Sequence, residues 1–387
     1  MDELAEIFDG PHATPKKVPA GPWFLSISSL QRGRLVLDES AHISDEDFVK
    51  WTRRVEPRAD DVLFSYETRL GEAALMPTGL RACLGRRMGL LRPKLLEVNP
   101  RFLLYAYLGP EFQATVRQRA VQGATVDRIP LNQMSSWPVR VPDRRCQDSI
   151  ASVLGALDDK IDLTRSINVS LGRILQAVIA RLWAEAPGRF EEKALGEVAE
   201  IVDCLHSAKP GRVAQGHCVL LQLHNLNADG TLSVEDKYLI SPSDYSLWTS
   251  RIELSPGDCV ITNVGRVGAV AQIPEGVRAA AGRNMTGIRA RRGLVSPTYL
   301  LEALLSPRVR DEIRLNTDTG TILDSLNVRN IGKLRFPVPR PDLSPSLEAR
   351  LRPLRTLMEA NLRERATLEQ LRDALLPELM SGRMTVN

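Results

Sequence analysis

The sequence predicts an α+β protein: two tandem copies of one globular module, each with twisted β-sheet, and two long helices that pack as an antiparallel coiled coil. Three observations predict this fold. They are a repeat at a constant offset, short β-rich runs between Gly and Pro residues in each copy, and an apolar heptad seam after each copy. The 387 residues, 43% of them hydrophobic, suffice for two or three domains with cores of their own.

The repeat places matching segments 197 residues apart along the chain. A solenoid has units of roughly 20–50 residues, so a repeat of this length indicates that a whole module is duplicated. The matching pairs are residues 60–65 with 257–262, 70–74 with 267–271, 86–88 with 283–285, 100–104 with 297–301 and, after a slip of two, 138–143 with 337–342.

The repeat predicts four segments. Residues 1–143 form the first globular part, called module one, and residues 188–342 form the second, called module two. The two long helices occupy residues 144–187 and 343–387. Each module is also expected to contain a shorter helix that begins at a proline, at 100–119 and at 297–315.

Each long helix carries an apolar seam with steps of three and four, interrupted by a polar layer at the same place in both copies. Neither helix can bury its seam within a small module, so we expect the two to pack on each other in antiparallel orientation. Two unrelated amphipathic helices, each packed on its own domain, are the alternative. Pro353 and Pro377 predict a kink or a late start in the second helix. The seam residues are Leu154, Leu157, Ile161, Asn168 and Leu171 in the first helix, and Leu351, Leu354, Met358, Asn361 and Leu368 in the second.

Motifs for catalysis are missing from the sequence, so we predict no catalytic residue. There is no GxxxxGK[ST] loop and no GxGxxG. The Asn/Asp-Pro-Pro-aromatic signature of adenine methylation is approached only at residues 99–102, where a helix cap is the better interpretation. Cys204, His206, His217, Cys218 and His224 lie close together, but their spacing is not that of a zinc finger, so ordinary packing is favoured over a metal site.

Cations and amides in the loops of both modules predict DNA contacts. Arg and Asn can read guanine and adenine edges with two hydrogen bonds, and Lys and Thr suit phosphates. Corresponding loops differ between the copies, as two readers of different sequences would. The candidate residues are Thr14, Lys16, Lys17, Arg32, Arg34, Arg69, Arg86 and Arg87 in module one, and His206, Lys209, Asn225, Asn263, Arg266 and Arg283 in module two.

On residues 9–15, 61–65, 109–113, 150–154, 157–161 and 375–382, taken in order, the chain resembles the specificity (S) subunit of type I restriction–modification systems. The resemblance implies that each module is a target-recognition domain for one half of a split site in double-stranded DNA, and that the helix pair sets the spacing. It further implies two modification subunits as partners, which carry S-adenosylmethionine, and it admits a restriction subunit. The chain itself is expected to hold no cofactor.

Two other functions stay open at this point: a coiled-coil scaffold for two protein partners without DNA reading, and, less favoured, a DNA-cutting or methylating enzyme. The acidic N-terminal residues, the five scattered cysteines and the lack of a long apolar run predict a cytoplasmic protein. Module one begins close to Leu4, whereas module two has residues 190–197 ahead of the equivalent position, so we expect module one to lack an opening strand.

Overall fold

A computed structural model describes residues 1–123, 126–205, 207–233, 236–318, 320 and 323–386. The chain forms two compact units. The first unit comprises Met1–Ile161 and Leu368–Asn387, and the second comprises Asp162–Thr367. Each unit therefore contains one module together with a part of both long helices.

Residues 1–185 contain module one and the first long helix. The strands are β1 (Ala5–Asp9), β2 (Val18–Phe24), β3 (Leu30–Gln31), β4 (Arg34–Leu35), β5 (Ala41–His42), β6 (Val62–Ser65), β7 (Ala73–Leu75), β8 (Ala82–Cys83) and β9 (Met88–Pro93). The helices are α1 (Asp45–Trp51), α2 (Pro100–Leu108), α3 (Pro110–Arg119), α4 (Leu131–Met134) and the 42-residue α5 (Arg144–Glu185).

Module two and the second long helix follow. The strands are β10 (Phe190–Ala194), β11 (Ala199–Asp203), β12 (Cys218–Leu220), β13 (Leu239–Ile240), β14 (Cys259–Thr262), β15 (Val270–Gln272), β16 (Arg278–Ala280), β17 (Met285–Ala290), β18 (Thr317–Asp318), β19 (Ser325–Leu326) and β20 (Arg335–Pro339). The helices are α6 (Leu195–Val198), α7 (Pro242–Trp248), α8 (Pro297–Leu305), α9 (Pro307–Leu315), α10 (Val328–Ile331) and the 38-residue α11 (Ser344–Ser381).

Both modules are built on the same four-stranded antiparallel sheet, in the order β1-β9-β6-β7 in module one and β11-β17-β14-β15 in module two. Val62 pairs with Leu91 in the first sheet, and Cys259 pairs with Ile288, 197 residues further on, in the second. A three-stranded sheet with one parallel pair is also repeated, as β5-β2-β8 and β13-β12-β16. The predicted duplication is thus present in the backbone.

Left-handed backbone positions repeat with the same offset. Thr68 has a φ of 68° and Gly265 one of 81°, while Arg87 has 71° and Asn284 has 63°. An L side chain adopts such a φ only where the surrounding fold imposes it, and Asn tolerates it better than Arg does. The turns of the two modules are therefore equivalent in conformation even where their residues differ.

The helix predicted at 100–119 is wrong as a single element, because α2 ends at Leu108, Gly109 lies between the helices, and α3 begins at Pro110. Gly109 has extended backbone, with φ −65° and ψ 152°, and a proline offers no N–H to continue the helix before it. The helix predicted at 297–315 is divided in the same way, between α8 and α9 at Ser306 and Pro307.

Asn99 is a helix cap, as the sequence predicts. Its side-chain oxygen accepts from the backbone N–H groups of Arg101 and Phe102, and Pro100 takes the first helical position. Ser296 caps α8 by accepting from the N–H of Tyr299. The near match to a methyltransferase signature at residues 99–102 is thereby assigned a structural role.

Of the kink or late start predicted for the second long helix, the late start is wrong, since α11 begins at Ser344 and includes both Pro353 and Pro377, and the kink stays a prediction. A proline inside a helix leaves the carbonyl four residues before it without its usual donor. Those carbonyls belong to Ala349 and Asp373, both exposed. Water can satisfy them there, so the helix continues.

The two long helices contribute to the core of each unit. In the first unit, Leu154 of α5 and Leu379 of α11 are buried in one cluster with Phe102 and Trp137. In the second, Leu175 of α5 and Leu351 of α11 are buried together with residues of α8. The seam positions Leu154, Ile161, Asn168, Leu171, Leu351, Met358 and Asn361 are buried, and Leu157, Leu354 and Leu368 are partly buried.

The helix pair is antiparallel in both units, as predicted. In the first unit Arg372 donates to Asp158 at 3.0 Å, and Leu379 packs in the same cluster as Leu154. In the second unit Asn361 donates to Asn168 at 2.7 Å. Residue numbers rise along α5 while those of the contacting positions on α11 fall, which defines the opposite direction.

Strand β10 pairs antiparallel with β20, from Phe190 opposite Pro339 to Ala194 opposite Arg335. After it, the Leu195 N–H donates to the carbonyl of Leu334 at 2.8 Å. At the equivalent place in module one, the Met1 ammonium donates to the carbonyl of Trp137 at 2.9 Å. The described part of module one contains no counterpart of β10.

Candidate nucleic-acid interface

The main sheet of each module has one edge where three strand ends and their loops meet. In module one, Asp9 at the end of β1 lies opposite Gly89, and Ser65 at the end of β6 lies opposite Met88. The loops that follow or precede these strands are residues 10–17, 66–72 and 85–87. In module two they are residues 204–205, 207–217, 263–269 and 282–284. We call these two sets the loop edges.

The fold ties the loops of each edge together through their backbones. In module one, the Tyr66 N–H donates to the carbonyl of Arg87 at 3.1 Å. In module two, the Asn263 N–H donates to the carbonyl of Asn284 at 2.7 Å. The residues whose carbonyls accept are the two left-handed residues described above, so the same turn positions the same pair of loops twice.

Four of the predicted DNA contacts in module one are exposed at or beside its loop edge. Thr14, Lys16, Lys17 and Arg86 have exposed side chains, and none of them forms an ion pair or hydrogen bond within the described residues. Arg32 is also exposed, with its backbone N–H held by Glu72 at 2.8 Å. Lys16, Lys17, Arg32 and Arg86 therefore carry positive charge that no ion pair neutralises within the described residues, and their contact with DNA stays a prediction.

Two other predicted contacts, Arg69 and Arg87, have internal partners. Arg69 donates to the carbonyls of Ile27 and Ser28, each at 3.3 Å, and forms an ion pair with Glu72 at 3.2 Å. Arg87 forms an ion pair with Glu67 at 2.8 Å. Both guanidinium groups therefore hold loops in position. The side chain of Arg34, a third predicted contact, is half-buried like those of Arg69 and Arg87.

Tyr66 lies at the same edge, with its hydroxyl 3.5 Å from His12. Burial, and then the negative charge of Asp9, raise the pKa of Tyr66 to about 12, so the hydroxyl keeps its proton. Asp9 is bound by Arg54 at 2.7 Å. This group of residues was not among the predicted contacts, because an isolated Tyr and His carry no signal in the sequence.

Three predicted contacts in module two keep exposed cationic side chains that are held by neutral groups. Lys209 lies 3.9 Å from the centre of the Tyr238 ring. Arg266 donates to the carbonyl of Leu226 at 2.6 Å, and Arg283 donates to the carbonyl of Ser207 at 2.6 Å. None of these partners cancels the charge, so each cation stays available to a phosphate or a base edge.

Two predicted base readers, Asn225 and Asn263, require correction. Asn225 is 1% exposed, and its side chain donates to Ser233 and accepts from the Gln222 N–H. Asn263 is 5% exposed and exchanges hydrogen bonds with Thr286. Both side-chain amides are buried and form hydrogen bonds within the protein, so they cannot contact adenine in this conformation. They stabilise loops instead.

His206 lies outside the described residues, and with it one member of the possible metal cluster. Of the rest, Cys204 and Cys218 are buried in two different apolar clusters. Burial raises the pKa of the Cys204 thiol, which disfavours the thiolate that a metal requires. Within the described residues, no three His, Cys, Asp or Glu side chains are grouped to hold a metal ion.

Arg310 is a cation that the sequence did not single out. It lies on α9, and its guanidinium donates to the carbonyl of Ala228 at 3.0 Å. Arg266 donates to Leu226 of the same loop, two residues earlier. Arg310 lies 44 positions from Arg266, and a cation on a helix carries no sequence signal that associates it with a distant loop.

Comparison with known proteins points to one family. Residues 24–173 match the family model "Type I restriction modification DNA specificity domain". Along its whole length the chain is 20% identical to a protein of Methanocaldococcus jannaschii named as a type I restriction enzyme specificity subunit, 92% of which is covered. Over 28% of the chain, it is 28% identical to the type I restriction enzyme HindI specificity subunit of Haemophilus influenzae, 24% of which is covered.

The fold has a counterpart among solved structures. A crystal structure of a type I restriction–modification S subunit from M. genitalium aligns over 98% of this chain and 94% of its own, with a TM-score of 0.57 and 15% identity. This likeness is one of fold. The predicted resemblance and fold class are confirmed. The relatives are named for a specificity role, in agreement with the prediction that the chain is not an enzyme.

Among the described helices, none has the length and apolar character to span a bilayer.

Proposed function

We propose that the chain is the DNA-reading subunit of a restriction–modification system, with one half-site for each module, because residues 24–173 match a type I DNA specificity domain and the whole chain is similar to one specificity subunit. The observation that carries this proposal is that the two loop edges have the same backbone conformation but different side chains at equivalent positions. Thr68 and Gly265 occupy equivalent positions, as do Arg87 and Asn284. Equal scaffolds with different loop chemistry suit two readers of different sequences.

The helix pair is proposed as the spacer between the readers and the docking site for modification subunits. Its hydrogen-bonded Asn layer fixes the register of the two helices in the second unit. On α5, Leu163 and Ile174 are 55% and 49% exposed and Ile167 is 37% exposed, at the spacing of one helical face. Exposed apolar side chains in a row are typical of protein contacts, and a methyltransferase partner would supply S-adenosylmethionine.

DNA binding by the full chain tests the proposal against a scaffold without DNA reading. A random-sequence duplex is titrated with the protein at salt concentrations from 50 to 200 mM. If six or more phosphates are engaged, the affinity falls by roughly a thousandfold or more over this range. An affinity that stays constant with salt, or no binding at all, contradicts DNA reading and favours the scaffold.

A further inference from the structure

A groove lined by arginines crosses the second unit. One part, of about 460 Å³, is lined by Arg266 and Arg310, and another part, of about 670 Å³, is lined by Arg310 and by Arg173 of α5. The two parts share Asn227, Ala228, Leu305 and Arg310, so they are continuous. We call this feature the arginine groove and define it by Arg173, Arg266 and Arg310.

The guanidinium groups of Arg266 and Arg310 are anchored without being neutralised. Each donates one hydrogen bond to a backbone carbonyl of the loop at 226–228, at 2.6 Å and 3.0 Å. Each guanidinium has five N–H donors, so most of them remain free, and the full positive charge is retained. Anchoring also restricts the side chains before a ligand arrives, which lowers the entropy lost on binding.

Other arginines of α9 form ion pairs, which Arg310 does not. On α9, Arg308 forms an ion pair with Glu192 at 2.8 Å, and Arg314 forms one with Asp311 at 2.9 Å. Arg310, which lies between them in sequence, is held by a carbonyl. Arg173 is exposed and forms no ion pair within the described residues. Arg314 also lines the groove, so among the groove arginines it is Arg173, Arg266 and Arg310 for which the described residues show no ion pair.

Acidic side chains in the groove do not cancel this charge. The groove wall contains Asp229 and Asp324, and arginines outnumber them. The Asp229 carboxylate accepts from the N–H and the hydroxyl of Thr231, at 3.0 Å and 2.6 Å, which fixes its position and leaves its negative charge in place, so the positive excess of the groove comes from the number of arginines. A concave surface with fixed, unpaired guanidinium groups concentrates anions, and Arg binds a phosphate with two parallel hydrogen bonds.

We infer that the arginine groove binds the phosphate backbone of DNA and so carries the duplex from the loop edge of module two onto the face of α9 and α5. Arg266 belongs both to the loop edge at 263–269 and to the groove, which connects the two surfaces. This inference rests on the proposed function and deepens it, because it assigns phosphate contacts to helix residues away from the base-reading loops. Phosphate contacts of this kind set orientation and affinity, and carry no sequence information.

The test compares Arg310→Gln, Arg266→Gln and Arg173→Gln with the matched control Arg308→Gln, which removes a cation that is already paired. Binding of the full-length variants to a random 30-base-pair duplex is measured against salt. Each groove variant is expected to reduce the magnitude of the slope of log affinity against log salt by about 0.9, the value for one phosphate contact. Arg310→Lys, which keeps the charge, is expected to keep the wild-type slope, and Arg308→Gln should also leave it unchanged.

The outcomes separate this inference from the proposed function. Wild-type binding with a steep slope, together with unchanged slopes in all three groove variants, overturns the arginine groove and leaves DNA reading intact. Wild-type protein that binds no duplex overturns both. The melting temperature of each variant is expected to match that of the wild type, because the three side chains are exposed. A smaller salt slope in a variant that melts like the wild type then reports the loss of a phosphate contact and not unfolding.

Discussion

Asn361 of α11 donates its side-chain amide to the side-chain carbonyl of Asn168 on α5, and the Asn168 amide donates to the carbonyl of Met358 at 3.0 Å. Both side chains are buried, at 8% and 6% exposure. A buried amide pair satisfies its bonds only when the two helices lie in this one register. The pair therefore specifies alignment at some cost in stability relative to an apolar layer.

The first prediction concerns this pair. Asn361→Leu leaves the Asn168 carbonyl buried without its donor, and we expect the free energy of unfolding to fall by about 1–3 kcal/mol. The double variant Asn168→Leu with Asn361→Leu removes the unmet bond and is expected to recover the loss or exceed the wild type. Urea unfolding measures both. A double variant that is less stable than the single variant contradicts this interpretation.

The second prediction compares two buried polar clusters at equivalent positions. In the second unit, Glu302 is fully buried and bound by Arg355 and by Gln176. In the first unit, the equivalent position holds Tyr105, whose hydroxyl donates to Asp158 at 2.7 Å. The module is attached to its helices at the same place in both copies, through different chemistry.

Removal of one partner should therefore cost different amounts in the two clusters. Glu302→Ala leaves the Arg355 charge buried and is expected to cost about 3–5 kcal/mol. Tyr105→Phe removes one hydrogen bond, and Asp158 keeps its ion pair with Arg372 at 3.0 Å, so the expected cost is about 1 kcal/mol. The free energies of unfolding of the two variants, measured against the wild type, test this difference. Equal losses would show that burial of the charge is unimportant.

The third prediction concerns Glu359, a half-buried carboxyl on α11. Burial is the largest cause that raises the pKa of Glu359, against the opposing charge of Arg363. A raised pKa means that the folded state prefers the protonated acid, so stability from this group is present below the unfolded pKa and is lost as the pH rises through the folded value.

Glu359→Gln should thus be more stable than the wild type at neutral pH, and the difference should shrink as the pH falls through the raised pKa of Glu359 towards the pKa of an ordinary glutamate. Melting temperatures across pH 4 to 8 measure the difference, with the exposed Glu3→Gln as control for a general effect of charge. A difference that is constant over this pH range is incompatible with a raised pKa at Glu359.

The sequence predicts periodic features well and burial poorly. The heptad seam at Leu154, Asn168 and Asn361 is visible because side chains on one helical face recur at fixed steps. The break at Gly109 is hidden, since apolar residues continue on both sides of it. Asn263 was predicted to read a base because an asparagine side chain can form two hydrogen bonds with adenine. The fold, which the sequence does not show, places its amide in a hydrogen bond with Thr286.

Exchange of module one tests the central claim most directly. Residues 1–142 are replaced with the recognition domain of another specificity subunit, and the methylated sites in DNA of cells that carry the chimera and its modification partner are sequenced. Because each module has its own sheet, core and loop edge, we predict that one half of the methylated site changes and the other half is retained. A change in both halves, or in neither, would contradict the assignment of one reader to each module.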